Sequence, residues 1–267
     1  MHNVIAGSTI SVLAIAAILC LVAPFFMIIR YRNLYKAKVS SALLGVGTFV
    51  VFAWILENIC HIIFLSGKHP IISGTIPFVS YAVVTAAVFE ETGRLIAFRY
   101  LMTKRPGARN AMMFGFGHGG VECLFLGSAT LFNNMTLAVT VNNLGVQGYI
   151  DKIGSTGEQF IRQKDALFGF INTPASQYIL AGSERIIVFM AQIALTVLIY
   201  YAVTHSELRF LYPVAIVLHA LLNLPAALYQ KKVMTNVPLM ESLIGVVAIA
   251  IIITAYRLFQ KYKDAEQ

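Results

Sequence analysis

An all-α, polytopic bundle of transmembrane helices is the fold this sequence predicts, and three observations carry the prediction. Of 267 residues, 58% are hydrophobic and only 12% are charged, against about 25% charged in an ordinary soluble domain. The mean hydropathy is +0.75. Apolar runs long enough to span a ~30 Å hydrocarbon layer recur from one end of the chain to the other, with no soluble-type segment between them. The expectation is therefore one integral-membrane domain over residues 1–267, with about seven spans, or eight where the long fourth run is broken.

The first run, about residues 4–29, has no basic segment before it and is too long for a signal-peptide core, so it should stay in the membrane. Arg30, Arg32, Lys36 and Lys38 follow it. The second span, about 39–65, carries Glu57, Asn58 and His61, for which interhelical hydrogen bonding is the favoured reading. The third, about 76–102, ends in a basic turn with Arg99, Lys104, Arg105 and Arg109 around Pro106 and Gly107. The fourth, about 111–143, is longer than one span needs and holds Gly115, Gly117, Gly119 and Gly120, which predicts close helix approach or a break.

From Gly145 to Gln177 the chain turns polar, predicting a loop or an interfacial amphipathic helix on the outer side, able to cover a site. The fifth span, about 178–203, carries Glu184 and Arg185 near its start, as expected of a helix end at the interface. The sixth, about 208–229, contains Pro213, His219, Asn223 and Pro225. The seventh, about 239–256, precedes a basic tail. With this arrangement 12 Lys and Arg fall in loops assigned inside and seven outside, which predicts a plasma-membrane protein with an external N-terminus and a cytoplasmic C-terminus.

The net charge of +8 does not indicate nucleic acid, because the basic residues sit in short clusters between apolar runs, where topology rules put them. Cys20, Cys60 and Cys123 share no metal-type spacing and read as small apolar packers. The bilayer is thus the first predicted partner.

Charge within the spans is the feature that needs a reason. An ionisable side chain at the bilayer centre costs roughly 3 kcal/mol on insertion scales, yet Glu90, Glu91, Arg94, His118 and Glu122 lie in two neighbouring spans. Counting along the helices at 1.5 Å per residue puts Glu90 and Glu91 about 17 Å from the inner surface, His118 about 10 Å and His219 about 16 Å. Three sequence-distant walls thus meet in one layer. Residues four apart share a helix face, which pairs Glu90 with Arg94, His118 with Glu122, and His219 with Asn223.

Two chemistries suit that set. Glu91, His118, Glu122 and His219 include the imidazole and carboxylate donors that zinc takes, with a remaining carboxylate left to activate water. Alternatively a glutamate is the general base without metal, and His and Asn stabilise an oxyanion. Glu122 is read equally as a ligand, as a group orienting His118, or as packing.

The motifs carry a resemblance as well. F-E-E-T-G-R at 89–94, F-G-F-G-H at 114–118 and H-A-L-L-N at 219–223 resemble the three motifs of the CAAX-protease and bacteriocin-processing superfamily. E-E-T-G-R together with G-H-G-G-V-E is more similar to the YhfC family of bacterial intramembrane metalloproteases. The resemblance implies a multi-helix membrane protease in which Glu90 or Glu91 activates water with His118, while His219 and Asn223 bind metal or stabilise the oxyanion. Arg94 departs from the usual E-E-x-x-x-R spacing and is closer to the E-E-x-x-K of PrsW-type proteases.

The function expected is therefore intramembrane endopeptidase, cleaving a peptide or a membrane-protein segment, with catalytic candidates Glu90, Glu91, His118, His219 and Asn223. An ion- or proton-coupled transporter using the same groups is the alternative from another class, as is a non-catalytic scaffold; no inverted repeat of the motif-bearing spans supports the transporter. For the Glu90 and Glu91 pair the plain alternative is a salt bridge to Arg94 or Arg185 that fixes packing.

Overall fold

Helix follows helix through the whole described chain, in the order α1 (Gly7–Tyr35), α2 (Val39–Phe49), α3 (Glu57–Leu65), α4 (Thr75–Ile96), α5 (Ala108–Glu122), α6 (Thr130–Ile153), α7 (Glu158–Ile171), α8 (Ala175–Thr204), α9 (Leu211–Gln230) and α10 (Val237–Tyr262). The computed structural model describes residues 4–65, 74–154 and 157–262. His2, His69 and Lys68, assigned to a terminus and a loop from sequence, lie outside them. There is no strand among the described residues.

Six stretches are long and apolar enough to cross a membrane: Gly7–Tyr35, Val39–Phe64, Ala108–Ile153, Ala175–Thr204, Ser206–Gln230 and Val237–Tyr262. The remaining expected span, α4, has the length at 22 residues, but Glu90, Glu91 and Arg94 lower its hydropathy. The Ala108–Ile153 stretch of 46 residues would be about 69 Å long as one α-helix, more than twice the hydrocarbon thickness. It is interrupted by a π-helical turn at Cys123–Ala129 and by Gly145, whose φ of 72° is not helical.

Two further π-helical turns occur, Val50–Leu56 between α2 and α3, and Ala97–Leu101 after α4. The polar segment after Gly145 is helical: α6 continues to Ile153 and α7 fills most of the rest, with Leu167 buried and Phe168 and Ile161 exposed. Glu184 and Arg185 lie nine and ten residues into α8, bonded to each other, because that helix begins at Ala175 and not near the pair.

The chain divides into two compact units, residues 1–22 with 124–185, and residues 23–123 with 186–267. The first has a small core of Ile5, Ala138, Val141 and Leu167, closed by Asn142, whose side chain accepts from the Ile5 N–H and donates to its carbonyl at 2.9 Å each. The second holds all the motif residues. Its centre is the second half of α8: 78% of the apolar window of this helix is buried, against 33% or less in the other five stretches. Phe98, Met102, Phe114, Leu195, Leu198, Tyr201, Leu222 and Ile251 pack there.

The α5 glycines allow this packing. A Cβ on Gly117 would fall 1.9 Å from the Ala42 carbonyl oxygen, and one on Gly45 would fall 2.1 Å from the Phe114 carbonyl oxygen, so α2 and α5 touch backbone to backbone. On the other side of α5, Gly115 faces the Ile193 Cα at 3.0 Å and Gly119 faces Gln192 Cβ at 2.8 Å. Close approach, the expectation from sequence, is what these residues provide.

Candidate functional site

Three helices of the second unit deliver the site. Glu90, Glu91 and Arg94 come from one face of α4, His118 from α5, and His219 from α9, and Glu91, Arg94, His118 and His219 are fully buried while Glu90 is 6% exposed. His118 is fixed by its surroundings: its ring lies edge-on to Phe49 at 5.3 Å and stacks on Phe114 at 6.2 Å. The Gly45 contact also brings α2 against the His118 N–H, so the imidazole has no room to swing away.

The polar atoms form one network. His118 Nε2 lies 2.9 Å from Glu90 Oε2, and His219 Nδ1 lies 2.7 Å from Glu91 Oε1. His219 Nε2 is 3.8 Å from Glu90 Oε1, so Glu90 stands between the two imidazoles. Arg94 donates to Glu91, to Glu90 at 3.3 Å and to Gln192 of α8. The E-E-x-x-R spacing accounts for this: Arg94 is three residues after Glu91 and four after Glu90, the two separations that stack on a helix face, and a forked guanidinium can serve both carboxylates. The motif's short spacing is therefore what puts one cation on two glutamates.

Gln192 was not a candidate from sequence. It accepts from Arg94, and its amide nitrogen lies 3.5 Å from His219 Nε2. The available signal was a single glutamine in the apolar stretch between Ile186 and Leu195. Asn223, one turn after His219, is half-buried and takes no part in the network. Glu122 is buried at the end of α5, one turn beyond His118.

The family model described as YhfC intramembrane metalloprotease matches residues 18–244. The chain belongs to the YhfC family. A relative from Bacillus subtilis (strain 168), described as "Uncharacterized membrane protein YhfC", is 29% identical over 259 residues, covering 93% of this chain and 96% of that protein. No solved structure matches. With its six apolar stretches and this membership, the protein is an integral membrane protein.

The family's description implies a metal, and the residues can be tested for it. In the neutral tautomer in which His118 Nε2–H donates to Glu90, Nδ1 carries a lone pair, and that atom is buried with no hydrogen-bond partner, as is Glu91 Oε2. Imidazole and carboxylate are suitable donors for zinc. Their arrangement, however, does not fit an ion: among the described residues no three His, Cys, Asp or Glu side chains are grouped to hold one. The place of a cation between the two carboxylates is taken by the Arg94 guanidinium.

Proposed function

We propose that this YhfC-family protein is an intramembrane endopeptidase that hydrolyses a peptide bond in a peptide or membrane-associated substrate, with Glu90 as the general base. The observation carrying this reading is the division of labour between the two glutamates. Glu91 is fully buried and bonded to both Arg94 and His219, which makes it an anchor. Glu90 keeps an 8% exposed side chain between His118 and His219, where a water can reach it.

The chemistry follows from those positions. Glu90 takes a proton from water as the oxygen attacks the carbonyl carbon of the scissile bond. An imidazole N–H from His118 or His219 stabilises the oxygen that becomes negative, in a layer where low dielectric strengthens the contact. The proton held on Glu90 then passes to the departing amine nitrogen as the C–N bond breaks, and Glu90 returns to its carboxylate form. Arg94 keeps both glutamates ionised and aimed while this proceeds.

Zinc on Glu91, His118, Glu122 and His219 is the second reading, favoured by the unpartnered His118 Nδ1 and Glu91 Oε2 atoms. It requires both imidazoles and Glu91 to leave their present partners. The test is hydrolysis of a quenched fluorescent peptide library by purified protein in liposomes, with Glu90→Gln, Glu91→Gln, His118→Ala and His219→Ala compared one by one and metal content measured on the same samples. Full activity in all four variants refutes the peptidase reading. One bound metal per chain, lost with His118 or His219, replaces the free glutamate base by the metal reading.

A further inference from the structure

Away from the buried network, a cavity of about 760 Å³ opens at the basic end of the second unit. It is walled by the end of α1, the turn into α2, the start of α5 and the end of α10, and its size is that of a small-molecule site. Lys36 and Arg109 line it together with Tyr31, Tyr35, Asn110 and Gln260, and no acidic side chain does. The guanidinium of Arg109 stands 5.7 Å over the Tyr35 ring, and among the described residues neither Arg109 nor Lys36 is held in an ion pair.

The neighbouring cations are committed elsewhere. Lys38 Nζ donates to the Lys104 carbonyl at 3.3 Å, and Arg105 donates to the Ser40 hydroxyl at 2.8 Å. Lys36 and Arg109 are thus the two cations left to face the cavity. The amino end of α5 opens on it too, after Gly107 at φ 94°, and adds the positive pole of a 15-residue helix.

A second observation concerns what the rest of the ligand would touch. From Gln260 at the cavity wall, Tyr256, Ile253 and Ile249 follow at helical spacing along α10, and they are 61%, 45% and 55% exposed. An apolar stripe therefore runs from a cationic pocket along the length of a membrane-crossing helix, which suits a molecule with an anionic head and a hydrocarbon tail, whereas a free anion has no use for the stripe.

We propose that this pocket seats the phosphate headgroup of an acidic phospholipid, bound by Lys36, Arg109 and the amino end of α5, with an acyl chain along Tyr256, Ile253 and Ile249. Each cation near an anionic lipid is worth about a fivefold change in affinity, so losing both should weaken retention roughly 25-fold.

The test is native mass spectrometry of the full-length detergent-purified protein titrated with phosphatidylglycerol, with phosphatidylcholine, and with inorganic phosphate alone. The expected result is selective retention of phosphatidylglycerol, unaffected by excess phosphate and lost in Lys36→Gln/Arg109→Gln. Lys231→Gln/Lys232→Gln, which removes the same charge away from the pocket, should retain the lipid as the parent does. If the pocket variant fails to fold, Tyr256→Ser/Ile253→Ser breaks the acyl stripe instead and should lower retention without touching the cations. Equal retention of the two lipids, equal loss in the Lys231 and Lys232 control, or displacement of the lipid by phosphate at matched concentration would each overturn the proposal.

Discussion

Replacing Arg94 by methionine tests the central claim about how the site is held. The side chain is fully buried and donates to Glu91, Glu90 and Gln192, so the substitution leaves two carboxylates in the protein interior with no cation. Removing one partner of a buried pair typically costs about 3–5 kcal/mol. Membrane-embedded hydrogen bonds return less than expected, averaging about 0.6 kcal/mol, because the unfolded state in lipid also finds partners. The lower end, about 3 kcal/mol, is therefore the expected loss. Adding Glu91→Gln should then recover about 1–2 kcal/mol, since Glu91 is the carboxylate most dependent on Arg94, while Glu91→Gln alone should destabilise. The assay is reversible unfolding of the purified protein in mixed micelles by titration with a denaturing detergent, followed by circular dichroism, for the parent, both single variants and the double. A loss below about 0.5 kcal/mol in Arg94→Met, or additivity of the two changes within about 0.5 kcal/mol, would refute the reasoning.

Other expectations are more direct. Glu90→Gln should lower peptide hydrolysis by roughly 10²–10⁴-fold, the range for a general base, while unfolding as the parent does; Glu91→Gln should lose stability as well as activity, and the reverse pattern would exchange the roles of the two. Gly117→Ala places a methyl group on the Ala42 carbonyl and should lose about 3 kcal/mol or fail to assemble, whereas Gly245→Ala, with open space around it, should unfold within about 0.5 kcal/mol of the parent; the same denaturation titration reads both. Gln192→Leu keeps volume but removes the acceptor of Arg94 and should cost about 1–3 kcal/mol, with hydrolysis reduced through displaced Arg94; unchanged stability would mean that Gln192 does not support the network.

Much of the site was legible because polar residues in apolar helices are conspicuous. Glu90, Glu91, His118 and His219 could be placed at a common depth by counting residues, and the structure brings these four together. Asn223 shares a face with His219 by spacing, but spacing does not say how a helix is rotated against its neighbours, and the network stops at His219. Gln192 was hidden for the same reason: one uncharged side chain in α8 carries no weight until the partner across the interface is known. The glycines of α5 announced close approach, yet only coordinates tell that Gly117 meets α2 while Gly115 and Gly119 meet α8. The expected helix start at Glu184 was misplaced because Ala175–Gly182 is polar enough to look like a loop, although the chain there is already helical.

The π-helical turn Val50–Leu56 has a consequence for how this chain tolerates length changes. Such a turn closes its ring one residue later than an α-turn and so accommodates one surplus residue without ending the helix. Deleting one residue from it should let the segment rewind as an ordinary α-helix, continuous from α2 into α3. Everything after the deletion would then be turned by about 100°. Glu57 and His61, now 3.3 Å apart with the ring of His61 3.0 Å from the Tyr81 hydroxyl of α4, would leave α4 together while Ala42 and Gly45 kept their contacts with α5. A single codon thus sets which face the outer half of this helix shows to α4, independently of the half that packs against His118.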